Sequence, residues 1–135
     1  MNIYETVRES IKDVLKSIGL KQANERALKK SAFYTTWIVS DGAVEVEDYD
    51  FCQNQHTWSP EIDILIHNGA NREALYDSVN KTRFDIITAL IHYGKFSRPD
   101  NIFQMGVPVE SEQIEIDDNT VRLKIRITCI AQIED

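Results

Sequence analysis

Residues 121–133, VRLKIRITCIAQI, decide the fold of this chain. Apolar side chains occupy every second position from Val121 to Ile133, and the positions between them are polar or charged except for Ile130. Alternation with a period of two residues is typical of a β-strand that has one buried face and one wet face. We therefore predict a strand that lies on a hydrophobic core.

The segment before this strand predicts its partner. Ile114 and Ile116 alternate with polar residues, and the Asp-Asn pair at 118–119 favours a tight turn, since both residue types tolerate positive φ. The turn would make an antiparallel hairpin with one buried face. Its predicted pairs are Ile116 with Val121, Ile114 with Leu123, and Glu115 with Arg122 on the wet face.

The length of the last strand is itself informative. From Val121 to Ile133 it would span about 43 Å at roughly 3.3 Å per residue, beyond the usual five or six residues. Such a strand must bend, or part of it must pair outside its own hairpin. A long unpaired edge invites association with other chains, and we expect this protein to use one in that way.

Two amphipathic helices are predicted from apolar residues spaced three or four apart. The first covers Ile3–Ile18, with Asn2 as its N-cap and Gly19 at its end. The second runs from Arg72 to about Tyr93, after a cap at Asn71, and ends at Gly94. Their apolar stripes are Ile3, Val7, Ile11, Val14 and Ile18 in the first helix and Leu75, Val79, Ile86 and Leu90 in the second.

Three strands are predicted between the helices. They are Ala32–Val39, Val44–Glu47 with an extension that can reach Phe51, and Thr57–His67. Asp41-Gly42 is a hairpin-turn signal between the first two strands. Pro60 lacks an N–H and places the start of the third strand at an edge or bulge. Residues 20–30 form a connector whose composition also permits a helical turn.

The predicted fold class is therefore α+β, in one domain spanning residues 1–135. A mixed or mostly antiparallel sheet of about four to six strands is expected to have two main helices packed on one face. The predicted order of elements is α-β-β-β-α-β-β.

Charge limits the classes of partner. The formal net charge is −7, and residues 31–71 contain no Lys or Arg. A surface of this sign repels phosphate, so tight nucleic-acid binding is not expected. No apolar run reaches the roughly 20 residues of a membrane span, and the N-terminus lacks the pattern of a secretory signal. We expect a cytoplasmic protein whose two cysteines, Cys52 and Cys129, are reduced.

A search for catalytic and metal-binding patterns gives little. Cys52 and His56 are spaced like a pair of metal ligands, but a structural zinc site needs four ligands. A cysteine and a histidine remote in sequence could also form a nucleophile pair, because catalytic partners need not be neighbours, but neither cysteine lies in a recognisable nucleophile turn. Counted as a calcium loop from Asp48, the sequence lacks the required glycine and glutamate. We expect no cofactor, no metal and no enzymatic activity.

Arg83 and the tryptophans have two interpretations each. Arg83 lies inside the apolar stripe of the second helix, where its methylenes could cover the core while the guanidinium reaches water. Alternatively it forms a partly buried ion pair with Glu61, with Asp63 or with a carboxylate of a neighbouring subunit. Trp37 and Trp58 suit the core, but tryptophan is also favoured at subunit contacts.

The segment Thr57–Ile66, TWSPEIDILI, carries a resemblance. A strand led by an aromatic residue, then a helix, then a final strand ending near the C-terminus resembles the tail terminator (minor tail) proteins of long-tailed bacteriophages. The first helix and the chain length also agree. The likeness covers most of the chain as an order of elements, but Pro60 inside the strand and the possible helical turn at residues 20–30 depart from it.

The resemblance implies a homo-oligomeric ring, commonly a hexamer, that caps the tail tube and stops its polymerisation. It implies contacts with tube subunits and a head-side connector, and a location in the host cytoplasm during assembly and then in the virion tail. The candidate interface residues are Arg83, Glu45, Glu47, Asp48, Asp50, Trp58, Arg122, Lys124 and Arg126. A head-closure or tail-completion connector and an unrelated small ligand-binding domain are the alternative functions.

Overall fold

The structure is a computed structural model that describes residues 2–20, 33–48, 53–96 and 102–134. Within these residues there are two α-helices and an antiparallel sheet of six strands, so the predicted α+β class is confirmed. The helices are α1 (Ile3–Ser17) and α2 (Arg72–Phe96), and the strands are β1 (Phe33–Ser40), β2 (Val44–Asp48), β3 (Gln53–Trp58), β4 (Glu61–Asn68), β5 (Ile102–Asp117) and β6 (Thr120–Glu134).

The ends of α1 are formed by the residues that the sequence indicates. Asn2 Oδ1 accepts a hydrogen bond from the backbone N–H of Glu5 at 2.9 Å. At the other end, Gly19 has φ +88°, and its N–H donates to the Lys16 carbonyl while the N–H of Leu20 donates to the Leu15 carbonyl. This pair of bonds is a Schellman motif, which satisfies carbonyl groups left free at the helix end.

Helix α2 begins as predicted and ends later than predicted. Asn71 Oδ1 accepts from the N–H of Ala74 at 2.7 Å, as expected of an N-cap. The predicted end at Gly94 is wrong, because the helix continues to Phe96. A glycine lowers helix stability by only about 1 kcal/mol and does not by itself stop a helix. The predicted stripe of Leu75, Val79, Ile86 and Leu90 is fully buried.

Strands β1 to β4 form one long, bent hairpin. β1 pairs with β4 and β2 pairs with β3, so the hairpin turn predicted at Asp41-Gly42 is wrong. Residues 41–43 instead connect β1 to β2 along the same side of the hairpin, and β2 and β3 run antiparallel. The single strand predicted over Thr57–His67 is also wrong. It is divided at Ser59-Pro60 into β3 and β4.

Strand β6 organises the sheet. Its first half pairs with β4, its second half pairs with β3, and β5 lies along its other side. The long strand β6 is therefore paired within the chain, because β4 and β3 pair with successive parts of it. β6 is not an edge of the sheet; the open edges belong to β1, β2 and β5 among the described strands.

The register of the closing hairpin differs from the prediction by one residue. Asp117 faces Thr120 across the turn, but a bulge at Ile116 then places Glu115 opposite Val121 and Ile114 opposite Arg122. The predicted pairs of Ile116 with Val121, of Ile114 with Leu123 and of Glu115 with Arg122 are therefore wrong. A shift of one residue exchanges the two faces of a strand, so Ile114 lies on the face of Arg122, and Ile116, the extra residue at the bulge, is 50% exposed.

Both helices pack on the same face of the sheet. α2 contacts β4, β5 and β6, and α1 contacts α2 and β1. Within the described ranges, no helix combines the length and apolarity needed to cross a membrane. The core consists of Val7, Ile11, Val14, Leu15, Trp37, Val39, Trp58, Ile62, Ile64, Ile66, Leu75, Val79, Ile86, Leu90, Val121, Leu123, Ile125, Ile127, Cys129 and Ala131.

Candidate subunit interface

Three candidate interface residues, Arg122, Lys124 and Arg126, lie on the sheet face opposite to the helices. They project there because they alternate along β6 with buried residues. Each is paired with a carboxylate of the same chain. The ion pairs are Arg122–Asp63 at 3.4 Å, Lys124–Glu61 at 3.9 Å, Arg126–Glu61 at 2.8 Å and Arg126–Glu112 at 3.4 Å.

These pairs give the uncovered face a mixed charge. The hydrogen bond with Glu61 is the largest cause that raises the pKa of Arg126, which stays charged at any physiological pH. Since half-exposed ion pairs contribute little to stability, their main effect is to fix the side chains in position. The face is thus a polar surface with ordered charges, available for contact with another molecule.

Arg83 has a different environment from the one predicted. Its Nη2 donates to the amide oxygen of Gln113 at 2.6 Å, and its Nη1 donates to Asn80 at 3.3 Å. Glu61 and Asp63 lie on the opposite face of the sheet, where they bind cations of β6. The predicted ion pair of Arg83 with one of these two carboxylates is therefore wrong. A carboxylate of a neighbouring subunit remains a prediction.

Replacing Arg83 with methionine is expected to lower the free energy of unfolding by about 1–2 kcal/mol, because it removes hydrogen bonds to two neutral amides, Gln113 and Asn80, and keeps the apolar stem. Urea denaturation of the isolated chain measures the change. Gln113→Ala is the matched control, since it removes the other member of the same bond. A loss of about 3–5 kcal/mol from Arg83→Met would indicate a buried ion pair instead.

A cluster that the sequence analysis missed joins α2 to β5. The Tyr76 hydroxyl donates to Glu115 Oε1, and Arg72 Nη2 donates to Glu115 Oε2 at 3.1 Å. The bulge at Ile116 causes this contact, because it turns Glu115 towards the helix side of the sheet. Together with the Arg83–Gln113 bond, the cluster fastens the edge strand β5 to α2.

Removing the Tyr76 hydroxyl is expected to raise the pKa of Glu115. That pKa is lowered from 4.5, and the hydrogen bond from Tyr76 is the largest cause. A lowered folded-state pKa means that the carboxylate stabilises the fold above the unfolded pKa, and that this contribution is lost as the pH falls through the folded pKa. NMR titration of Glu115 in Tyr76→Phe should show the pKa moving towards 4.5. An unchanged value would contradict the hydrogen bond; Tyr34→Phe is the control.

The acidic candidates lie on β2. All five residues of that strand are exposed: Glu45, Glu47, Asp48 and the two valines, Val44 and Val46. Asp50 lies outside the described residues. β2 is an edge strand that pairs with β3 alone among the described strands, so its carboxylates and valines can all be reached by another molecule.

Trp58 lies in the core. It is 1% exposed, and the ring of Tyr4 meets it edge-on at a centroid distance of 4.9 Å. Trp58 is therefore a core residue, as one of its two interpretations predicted, and its side chain does not reach the surface. Trp37 is buried as well, and its Nε1 donates to the Leu20 carbonyl at 3.1 Å.

The possible metal pair is only partly described. Cys52 lies outside the described residues, and His56 Nδ1 is hydrogen-bonded to the Tyr4 hydroxyl. In the described part of the chain, no group of three or more His, Cys, Asp or Glu side chains is arranged to hold a metal ion.

One groove lies between the helices. It has a volume of about 660 Å³, and its walls are formed mostly by the C-terminal halves of α1 and α2. Phe84 stands at this groove and is 69% exposed. The lining residues are Val14, Ser17, Ile18, Phe84, Asp85, Thr88, Ala89 and His92.

Comparison of the sequence with protein-family models and with curated proteins gave no match.

Proposed function

We propose that this protein is a structural subunit that forms a homo-oligomeric ring, caps the tail tube of a bacteriophage, ends tube polymerisation and offers the surface to which the head is joined. The observation that carries the proposal is the set of open edges on the two sides of the sheet. β1 and β2 leave one side unpaired, and β5 leaves the other unpaired, among the described strands. A subunit with two unlike open edges can join copies head to tail.

The order of elements also supports the proposal. A first helix, a group of strands, a second helix and a closing hairpin agree with the resemblance to tail terminator proteins. The residue-level part of that resemblance is weaker, because the aromatic-led strand is interrupted at Ser59-Pro60. The support therefore comes from topology more than from Trp58 and the isoleucines that follow it, which fill the core of this chain.

The charge of the protein is compatible with a ring through which DNA passes. β2 carries exposed Glu45, Glu47 and Asp48, and the formal net charge of the chain is −7. Carboxylates repel the phosphates of DNA, so DNA would pass such a surface without being held. The proposed partners are accordingly other protein subunits: copies of this chain, tube subunits and a head-side connector.

Polymerisation of tail-tube subunits encoded in the same genome tests this function. Adding the protein during polymerisation should shorten the tubes, and electron microscopy should show a ring at one tube end. Adding it after polymerisation is the control, since finished tubes should keep their length and acquire the ring. Tubes of unchanged length with bare ends would contradict the proposal.

The groove between α1 and α2 favours a second candidate function, the binding of a small apolar ligand. A volume of about 660 Å³ is in the range of ligand sites, which are mostly apolar with a few polar groups. Phe84→Ala would then weaken binding of an apolar probe such as anilinonaphthalene sulfonate, measured by fluorescence. Binding that is unaffected by Phe84→Ala would exclude this groove as the site.

A further inference from the structure

Three strands offer open edges to another molecule. β1 is hydrogen-bonded to β4, β2 to β3 and β5 to β6, and each of the three has no second partner among the described strands. The N–H and C=O groups along an open edge can pair with a further strand. The edges differ in regularity and in charge, and these differences decide which of them can pair.

Only half of β5 has a regular edge. Its N-terminal half has register shifts between Ile102 and Gln104 and between Met105 and Val109. Pro108 lies in the second of these intervals and has no N–H to donate. From Val109 to Glu115 the pairing with β6 is uninterrupted. A partner strand would therefore pair with residues 109–115.

Charge then selects the partner edge. Residues 109–115 contain Glu110, Glu112 and Glu115, and β2 contains Glu45, Glu47 and Asp48. Like charges on directly opposed residues destabilise strand pairing, so neither β5 with β5 nor β5 with β2 is favoured. β1, residues 33–40, has no Asp, Glu, Lys or Arg. It is the one uncharged open edge among the described strands.

The directions of the strands permit pairing between β5 of one copy and β1 of another. β1, β4, β6 and β5 lie side by side and alternate in direction, so β5 runs opposite to β1. If β1 of a second copy follows β5 of the first, the antiparallel order continues without interruption. The helices of both copies then remain on the same face of the extended sheet.

We propose that copies of this chain join by antiparallel pairing of β1 of one copy with residues 109–115 of β5 of the next. This interface rests on the proposed function as a homo-oligomeric subunit and names the surface that forms the oligomer. Ile38, on the uncovered face of β1 and 60% exposed, lies where it would meet β5 of the neighbour. Glu110 and Glu112, or the apolar Ile114, are the side chains that it would face there.

A pair of variants at Ile38 tests the interface. Ile38→Glu adds a charge of the same sign as β5, and Ile38→Lys adds the opposite charge, while both remove the same apolar side chain. We expect Ile38→Glu to weaken self-association about tenfold and Ile38→Lys to leave it close to the wild-type value. Analytical ultracentrifugation over a range of concentrations at low salt measures this, and circular dichroism checks that both variants are folded.

Ile91→Glu is the matched control, because it places the same charge on an exposed isoleucine of α2, outside both strand edges. It should leave self-association unchanged. Equal weakening by Ile38→Glu and Ile38→Lys would overturn the proposal, since it is the result expected when β1 pairs with β1 in a two-fold dimer. A wild-type chain that is monomeric at all concentrations, or that is unaffected by Ile38→Glu, would also overturn it.

The outcome separates this interface from the proposed function. If Ile38→Glu leaves an oligomer that still caps tubes, the interface is wrong and the function stands. If Ile38→Glu dissociates the oligomer as expected but the wild-type oligomer does not shorten tubes, the interface stands and the function is wrong.

Discussion

Replacing Trp58 with alanine is expected to lower the free energy of unfolding by about 3–5 kcal/mol. The side chain is 1% exposed and lies at the junction of β3, β2 and β6, where it pairs with Val44 and Cys129. Its removal leaves a cavity beside the ring of Tyr4. Since a domain of this size has about 5–15 kcal/mol of stability, the loss is a large fraction of the total. Chemical denaturation followed by circular dichroism measures it.

Trp58→Phe is the matched control. Phenylalanine retains most of the apolar volume, and it removes an indole N–H that is buried without a hydrogen-bond partner among the described residues. Leaving such a group unpaired costs about 1–3 kcal/mol, so its removal should offset part of the lost packing. We expect Trp58→Phe to be much less destabilising than Trp58→Ala. A small loss of stability in Trp58→Ala, accompanied by dissociation of an oligomer, would instead assign Trp58 to an interface.

The core could be predicted from the sequence because its residues follow simple periods. The α2 stripe and the alternating residues of β6 from Val121 to Ala131 are buried where the spacing predicts. Caps were also predictable, since Asn2, Gly19 and Asn71 act through hydrogen bonds and φ angles that depend on neighbouring residues. Local chemistry is sufficient to determine these features.

The register of β5 could not be predicted, because a bulge is invisible in an alternating pattern. Apolar Ile114 and Ile116 favour a buried position, but Ile116 is the extra residue at the bulge. Glu115 turns to the helix side, where Tyr76 and Arg72 bind it. These partners are about forty positions away in sequence, as the separations of 39 and 43 residues show. A local alternating pattern cannot indicate a bulge whose side chains find partners so remote in sequence.

The sequence predicted which residues could belong to an interface, but not which surfaces of the fold they would form. Exposed charges on β2 and β6 follow from alternation, but which strands form edges depends on the pairing of distant segments. The composition of β1 does not indicate that it is an edge strand, because Phe33–Ser40 is as apolar as a central strand. Only the topology reveals that β1 has one partner among the described strands and an exposed Ile38.

Gly42→Ala is expected to lower the free energy of unfolding by about 3 kcal/mol, through two separate effects. Gly42 has φ +68°, a conformation that costs a residue with a Cβ about 1–2 kcal/mol. In addition, a Cβ built at this position would lie 2.1 Å from the carbonyl oxygen of Ser59. Relief of that clash requires movement of the backbone where β3 meets β4. Thermal and urea denaturation measure the combined loss.

Gly19→Ala separates the two effects. Gly19 also has a positive φ, at +88°, but a Cβ there would meet nothing within 4 Å. It should therefore show the conformational cost alone, and the difference between the two variants should equal the cost of the close approach to Ser59. Equal losses of stability in the two variants would show that the β1–β2 connection at Gly42 lies further from the β3–β4 connection at Ser59 than in this structure. A larger loss at Gly42 would mean that the bend is fixed by this contact, which keeps β1 and β2 in line along one open side of the sheet.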